Sequence, residues 1–175
     1  MALILLRHTR PAVDEGICYG RTDLDLAPGF AAEAARIAAE LPPVARILTS
    51  PLSRCRRLAE AVGSARGLPV AEDARLIEMD FGRWETRPWA AIPRAEIDTW
   101  RDDFLAARPH GGESVQTLAD RVTEALDAAT GGALPALIVT HAGVIKAALS
   151  ATGAADAWRA ETPFGTWRRI DWPCA

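Results

Sequence analysis

The stretch LILLRHTR, residues 3–10, runs four apolar residues straight into the basic pair Arg7 and His8. A short apolar run that is soon followed by a proline, here Pro11, is typical of a buried strand. The polar residues at the end of that strand can simply be exposed to solvent, or they can form part of a functional site. In open α/β sheets, ligand sites form beyond the carboxyl ends of the strands. The remaining sequence has to decide between these two interpretations.

Further strand and helix patterns alternate along the chain. We predict strands at 2–6, 45–49, 68–70 and 136–140, with an edge strand in the tail TWRRIDW, 166–172. We predict helices at 30–41, 52–65, 94–107, 114–129 and 143–152. Ser50 before Pro51 is expected to cap the second helix. Strands that alternate with helices indicate an α/β fold, a three-layer sandwich with a mostly parallel central sheet flanked by helices.

Composition excludes several classes of protein. The formal net charge is −3, with 49% hydrophobic and 25% charged residues, so the bulk charge favours neither nucleic acid nor an anionic membrane. Three widely spaced cysteines, Cys18, Cys55 and Cys174, fit reduced thiols better than a disulfide framework or a zinc site. No run approaches the roughly 20 apolar residues of a membrane span. We expect a cytoplasmic protein without a metal or other cofactor, acting as a monomer or homodimer.

The histidines stand at informative positions. His8 follows the first strand and His141 follows the strand ALIVT, whereas His110 lies in the loop ARPHGGES. Arg54 falls in the first turn of the helix after the second strand, where a cation opposes the helix dipole unless an anion lies nearby. Glu78 follows Leu76-Ile77 and competes with other nearby carboxylates, namely Asp80 and Glu85.

Each of these residues alone has an ordinary structural interpretation. Together, two histidines, two arginines and a carboxylate at one sheet edge would form a site for a dianion. Arginine matches phosphate oxygens with paired N–H donors. A neutral histidine can attack phosphorus, and a carboxyl can protonate the leaving oxygen. The chain contains no GxxxxGK[ST], HExxH or GxSxG motif, so the common alternative chemistries lack their signatures.

The sequence resembles the histidine phosphatase superfamily, which has the phosphoglycerate-mutase-like fold. The matching segments are LLRHT at 5–9, TSPLSRCRRLAE at 49–60, LIEMDFGRWE at 76–85, PHGGES at 109–114 and VTHAGVIK at 139–146. The resemblance implies a phosphomonoester hydrolase that acts on a small phosphate ester through a phosphohistidine. It also implies that residues 1–175 form one domain, with 79–113 as a lid.

The resemblance further implies a role for each matching residue. His8 would be the nucleophile, Arg7 and Arg54 would bind phosphate oxygens, and His141 would stabilise the transferred charge. Glu78 would protonate the leaving group and then activate water. The other implied substrate contacts are Thr9, Gly20, Arg21 and Ala142. Two nearby arginines should lower the pKa of His8, because a like charge disfavours imidazolium.

Some positions depart from the common family pattern. Thr9 stands where glycine is frequent, Asp14 where asparagine is frequent, and Glu85-Thr86-Arg87 replaces part of a frequent WEG. An inward-pointing Asp14 would repel phosphate. Three tryptophans, Trp84, Trp89 and Trp100, could stack on a substrate ring or pack within the lid, and we expect at least two to pack.

Short strings narrow the resemblance further. GICYGRTDLDLAPG, 16–29, and MDFGRWE, 79–85, are similar to the α-ribazole phosphatase branch, which removes the 5′-phosphate of α-ribazole phosphate in cobalamin synthesis. A 175-residue chain also looks more like a phosphatase than a mutase, since mutases generally carry longer insertions over the site. The alternatives are a broad-specificity phosphatase, a phosphoglycerate-mutase-type enzyme, or a non-catalytic module that binds a phosphorylated ligand or a protein.

Overall fold

A single mixed sheet organises the computed structural model, which describes residues 1–173. Its strands are β1 (Ala2–Arg7), β2 (Arg46–Thr49), β3 (Val70–Glu72), β4 (Ala136–Thr140) and β5 (Trp167–Asp171). Their order is β3-β2-β4-β1-β5, with β5 antiparallel to β1 and the other neighbours parallel. The predicted α/β fold with a mostly parallel sheet is confirmed. Cys174 lies outside the described residues.

Helices cover both faces of this sheet. They are α1 (Phe30–Glu40), α2 (Ser53–Arg66), α3 (Arg94–Asp102), α4 (Val115–Thr130) and α5 (Ala142–Ala151). Successive residues of β1 point to opposite faces, so Ile4 and Leu6 join the core under α1 and α2, whereas Leu3 and Leu5 join the core under α4 and α5. The result is the predicted three-layer arrangement. No helix within residues 1–173 has the length and apolar character that crossing a membrane requires.

Several predicted boundaries differ from the observed ones for local reasons. The third strand begins at Val70 rather than at residue 68, because Gly67 ends α2 in a left-handed conformation and the Leu68 amide closes back on the Gly63 carbonyl. The helix predicted at 94–107 ends at Asp102, because Asp103 leaves the helical region with φ −130° and ψ 63°.

The predicted cap at Ser50 is wrong. The helix α2 begins at Ser53, and its N-cap residue Leu52 makes no side-chain hydrogen bond. The carboxylate of Asp23 takes that role instead, accepting from the Ser53 amide and the Ser53 hydroxyl, both at 2.8 Å. A residue 30 positions away thus provides the anion that the start of this helix favours.

The parallel strands end in register at one edge of the sheet. Arg7 pairs with Thr140, and Thr49 pairs with Val139. The residues that follow β1, β2 and β4 are His8, Ser50 and His141, so they emerge side by side. The strand order therefore brings together parts of the chain more than 130 residues apart.

The connection from β3 to α4 packs over this edge through aromatic residues. Trp84 is fully buried against Cys18 and Ile92, and its indole N–H donates to Glu96 at 2.6 Å. Trp100 packs against the same cluster, whereas Trp89 is 36% exposed. The Trp89 ring nevertheless lies 6.0 Å from that of Trp84 and stacks on that of Trp100 at 6.5 Å, so all three tryptophans take part in packing. A lid role for 79–113 and a single domain over 1–175 stay predictions.

Candidate active site

Two histidines meet at the carboxyl edge of the sheet. The rings of His8, after β1, and His141, after β4, lie with centroids 5.1 Å apart and planes inclined at 63°. Both residues are buried. The pairing of β1 with β4 thus brings together the two strand-end histidines that the sequence singles out.

Hydrogen bonding orients the His8 ring. Its Nδ1 lies 2.7 Å from the carbonyl oxygen of Thr9, which can only accept, so Nδ1 carries the proton. In the neutral ring, Nε2 then keeps a free electron pair. Burial lowers the pKa of His8 well below the ordinary 6.5, and the charges of Arg54 and Arg7 lower it further against the hydrogen bond to Thr9. A lowered pKa keeps His8 unprotonated at neutral pH, with burial as the largest cause and the two arginines that the sequence singles out as lesser ones.

Arg54 is held beside the histidines by backbone carbonyls. It is the second residue of α2 and is fully buried. Its Nη1 donates to the Thr22 carbonyl at 2.8 Å and its Nη2 to the Gly20 carbonyl at 2.6 Å. A side chain at Gly20 would collide with the Met79 carbonyl, so only glycine fits there. The loop at 20–22 thus fixes the guanidinium without neutralising it.

Glu85 anchors that loop. Its carboxylate accepts from the amides of Arg21 at 2.9 Å, Thr22 at 2.7 Å and Phe81 at 3.2 Å, and from the Thr22 hydroxyl. Burial raises the pKa of Glu85, but these hydrogen bonds outweigh it and leave the pKa lowered. Glu85 therefore acts as an ionised support for the Arg54 loop, a role that sequence reasoning missed. The side chain of Arg21 is exposed and lies 4.0 Å from Asp80, so its substrate contact stays a prediction.

Arg7 approaches from β1. Its Nη1 donates to the Thr162 carbonyl at 2.5 Å, and its guanidinium carbon lies 3.7 Å from the centre of the Phe164 ring. Burial lowers the pKa of Arg7, while Tyr19 and Glu78 favour its charge. Two guanidinium groups thus border His8, which also lies 5.6 Å from the Phe164 ring. Thr9 is buried, and within residues 1–173 its hydroxyl has no hydrogen-bond partner.

His141 is held by Ser50, the residue that the sequence predicts to cap the second helix. Its Nε2 lies 2.8 Å from Ser50 Oγ and 3.4 Å from Cys55 Sγ. Burial lowers the pKa of His141 well below 6.5, followed by the effects of His8 and Arg54. Ser50 in the motif TSP therefore orients a histidine rather than capping a helix.

Glu78 reaches the same edge through the start of α5. Its Oε2 accepts from the Gly143 amide at 3.0 Å, and its Oε1 accepts from the Met79 amide at 2.9 Å. The first turn of a helix favours a carboxylate, because its free N–H groups carry partial positive charge. A Cβ at Gly143 would lie within 3.0 Å of Oε1. Glycine in THAGV thus makes room for the carboxylate of Glu78.

An ion pair between α4 and Glu113 holds the backbone that leads to Glu78. Arg121 on α4 donates to both carboxylate oxygens of Glu113, at 2.6 and 2.8 Å. It also donates to the carbonyls of Arg75 at 2.7 Å, Ile77 at 2.6 Å and Glu78 at 3.2 Å. Sequence reasoning missed this anchor, although Glu113 stands in the quoted PHGGES string.

The remaining candidates lie outside this cluster. His110 is buried and its Nδ1 accepts from the Gly112 amide at 3.0 Å, which makes it a packing residue beside Trp84. Asp14 is exposed and lines a cavity of about 630 Å³ together with Tyr19, whose ring centre lies 5.3 Å from the guanidinium carbon of Arg54. Ala142, the first residue of α5, lines a cavity of about 380 Å³ together with Glu78. Within residues 1–173, no group of three or more His, Cys, Asp or Glu could hold a metal ion.

Comparison with solved structures supports the fold. The protein TTHB049 from Thermus thermophilus superposes with a TM-score of 0.81 at 32% identity, covering 99% of this chain and 95% of that one. A mycobacterial glucosyl-3-phosphoglycerate phosphatase also gives a TM-score of 0.81, at 27% identity over 96% of this chain and 88% of that one.

Comparison with curated sequences gives two kinds of named relative. Glucosyl-3-phosphoglycerate phosphatase of Mycolicibacterium vanbaalenii is 36% identical over 85% of this chain and 72% of its own length. A probable phosphoglycerate mutase GpmB of Escherichia coli is 33% identical over 66% of this chain and 56% of its own length. The model of the family described as "Histidine phosphatase superfamily (branch 1)" matches residues 3–172. The chain therefore belongs to the histidine phosphatase superfamily.

Proposed function

We propose that this protein is a phosphomonoesterase that transfers the phosphoryl group of a small ester to His8 and then to water. One observation carries the proposal. His8 is a buried imidazole whose Nδ1 is committed to the Thr9 carbonyl, so its Nε2 is free, and the charges of Arg54 and Arg7 act on the ring. A neutral nitrogen held among fixed positive charges is suited to attack a phosphate dianion.

The proposed reaction has two steps. In the first, His8 Nε2 forms a bond to phosphorus, the ester P–O bond breaks, and the carboxyl of Glu78 gives its proton to the leaving oxygen. In the second, the Glu78 carboxylate takes a proton from water, the water oxygen bonds to phosphorus, and the P–N bond breaks. Phosphate leaves, and both groups return to their starting protonation states.

The positive groups have a defined task in this scheme. Phosphoryl transfer depends mainly on positioning and on stabilising the charge of the equatorial oxygens. Arg54 is a buried cation and Arg7 a partly buried one, and the Nε atoms of both have no partner within residues 1–173. A phosphoryl group between them would supply acceptors. His141, fixed by Ser50, would add a donor to the same oxygens.

The substrate class is a phosphate monoester of a small alcohol. The named relatives support a phosphoglycerate-type ester, since one is a glucosyl-3-phosphoglycerate phosphatase and another a probable phosphoglycerate mutase. The narrower prediction of α-ribazole 5′-phosphate rests on short sequence strings, and these relatives give it no support. A mutase would use the same cluster and differ in returning the phosphoryl group to a phosphorylated acceptor.

The decisive experiment measures phosphate release and the covalent intermediate together. The panel contains 3-phosphoglycerate, glucosyl-3-phosphoglycerate, α-ribazole 5′-phosphate and p-nitrophenyl phosphate. We expect turnover and an acid-labile, alkali-stable phosphoenzyme in the wild type and in the control His110→Asn, but not in His8→Ala. Activity or labelling that survives in His8→Ala would overturn the proposal.

Two further readouts separate the alternatives. A requirement for 2,3-bisphosphoglycerate, with isomerised rather than hydrolysed phosphoglycerate, would identify a mutase. Binding of inorganic phosphate without release from any ester would identify a non-catalytic module. Selective turnover of α-ribazole 5′-phosphate would restore the narrower prediction.

A further inference from the structure

The cavity beside Glu78 is chemically unlike the cluster of Arg7, His8, Arg54 and His141, which we call the phosphate cluster. It measures about 380 Å³, and its lining includes Glu78 and two residues of the first turn of α5, Ala142 and Gly143. Its walls are mostly apolar and include four aromatic side chains, Phe81, Trp100, Phe104 and Trp158. The charged residues among its lining are Glu78 and Lys146. A cavity lined in part by the proposed general acid is placed to receive the alcohol part of an ester, because the acid must contact the leaving oxygen.

Lys146 is unusual in this chain. The sequence has 20 lysines and arginines, and Lys146 is the single lysine among them. It is partly buried, and within residues 1–173 it forms no ion pair, not even with Glu78. Many of the surface arginines are paired with nearby carboxylates, so an unpaired ammonium at an apolar cavity is a feature that requires an explanation.

The helix α5 fixes where this ammonium starts. The Gly143 amide binds the Glu78 carboxylate, and Lys146 follows three residues later on the same face of the helix. Positions separated by three residues on a helix lie about 5–6 Å apart. One rigid element therefore holds both the general acid and, one turn further, a positive charge.

We propose that this cavity binds the leaving-group alcohol and that Lys146 selects a carboxylate on it, which makes the substrate class a phosphate ester of a hydroxy acid. A single ammonium matches a monoanion, whereas the dianionic phosphate is met by two guanidinium groups. The aromatic walls would pack against the carbon skeleton of the alcohol. This inference rests on the proposed phosphatase activity and names the kind of ester that it uses.

A matched pair of esters tests the inference. 3-Phosphoglycerate and glycerol 3-phosphate share a three-carbon skeleton and a primary phosphate ester, and they differ in a carboxylate against a hydroxymethyl group. We expect kcat/KM to favour 3-phosphoglycerate by about 10- to 100-fold, the value of a charge-assisted hydrogen bond. Lys146→Met should abolish this ratio while leaving turnover of glycerol 3-phosphate within a few-fold, and Lys146→Arg should keep part of it.

The control variant is Arg159→Met, which removes an exposed positive charge next to the cavity residue Trp158. It should keep the wild-type ratio, because its side chain is not part of the cavity lining. A wild-type ratio near one, or a ratio that survives in Lys146→Met, would overturn the role of Lys146.

Failure of the proposed function gives a different result. If wild-type protein hydrolyses neither ester nor p-nitrophenyl phosphate, the phosphatase proposal is wrong. Calorimetric binding of the two esters to the His8→Ala variant, with and without Lys146→Met, then decides the role of Lys146 independently. Equal affinities for both esters would overturn it, and a carboxylate preference lost in Lys146→Met would support it.

Discussion

Replacement of Gly143 by alanine should disable Glu78, the proposed general acid, while leaving the proposed phosphate-binding residues intact. The added Cβ would lie within 3.0 Å of Glu78 Oε1, 3.1 Å from Cδ and 3.4 Å from Oε2. Because Cδ, which does not move when the carboxyl group rotates, is itself closer than an ordinary contact, rotation alone does not relieve the collision with Oε1. The Glu78 side chain must withdraw and give up the 3.0 Å hydrogen bond from the Gly143 amide.

The size of the effect follows from that displacement. A misplacement of about 1 Å in a catalytic group can cost about 10²-fold in rate, and general acid catalysis as a whole is worth about 10²–10⁴-fold. We therefore expect kcat for an alkyl phosphate to fall by about 10²-fold or more. The fall should be smaller for p-nitrophenyl phosphate, whose leaving group needs little protonation. Folding should survive, because alanine in a helix is favoured over glycine by about 1 kcal/mol.

Steady-state kinetics with the two esters, and inhibition by inorganic phosphate, measure this prediction. The control is Gly131→Ala at the end of α4, where φ is −72° and the nearest neighbour of a new Cβ would lie 3.5 Å away. Wild-type turnover of the alkyl phosphate by Gly143→Ala would refute the argument. Equal losses on both esters with weaker phosphate inhibition would also refute it, because the damage would then lie in the phosphate cluster.

Three other perturbations test different parts of the site. Glu78→Gln should keep phosphate binding but lose about 10²–10⁴-fold in turnover of an alkyl phosphate, and equal loss on p-nitrophenyl phosphate would contradict its role as the acid. Burial lowers the pKa values of His8 and His141, so below pH 6.5 the unfolded chain binds more protons than the folded one. In urea unfolding, the free energy of unfolding should be highest above pH 6.5 and fall by about 1.4 kcal/mol per pH unit for each histidine as the pH decreases. A flat profile between pH 6.5 and 5.5 would contradict the burial of both histidines in the neutral form. Arg121→Met should lower the free energy of unfolding by about 3–5 kcal/mol, because it leaves the Glu113 carboxylate buried and unpaired. Adding Glu113→Leu should recover part of this loss, and a double variant without any recovery would argue against the ion pair as the cause.

The sequence predicts the sheet and the strand-end residues because both depend on local patterns. Apolar runs mark β1 and β4, and the carboxyl ends of parallel strands necessarily share an edge. His8 and His141 therefore come together in the structure as the pattern indicates. A glycine such as Gly143 commonly allows a ligand to approach the backbone, and the structure instead shows the Glu78 carboxylate at that position.

The supports of the site escape such reasoning because they join segments with no shared local pattern. Glu85 fixes a loop more than 60 residues earlier, and the carbonyls of that loop hold Arg54. Asp23 similarly caps α2 from outside the helix. Backbone carbonyl acceptors have no sequence signature, so a network built on them becomes visible only when the fold is known.

The proposed phosphate-binding residues and the cavity for the alcohol are different parts of the site. This separation explains why the sequence motifs indicate a reaction more readily than a substrate. In the proposed reaction, Arg7, His8, Arg54 and His141 bind a group that every phosphomonoester carries, so these four residues would not distinguish one ester from another. Discrimination would then have to come from contacts to the alcohol, and the proposed general acid Glu78 is part of the lining of the neighbouring cavity. That cavity also offers apolar walls and the charge of Lys146. A preference for carboxylated alcohols would therefore arise on α5, the same helix whose first turn places the acid, so that recognition of the leaving group and its protonation depend on one rigid element.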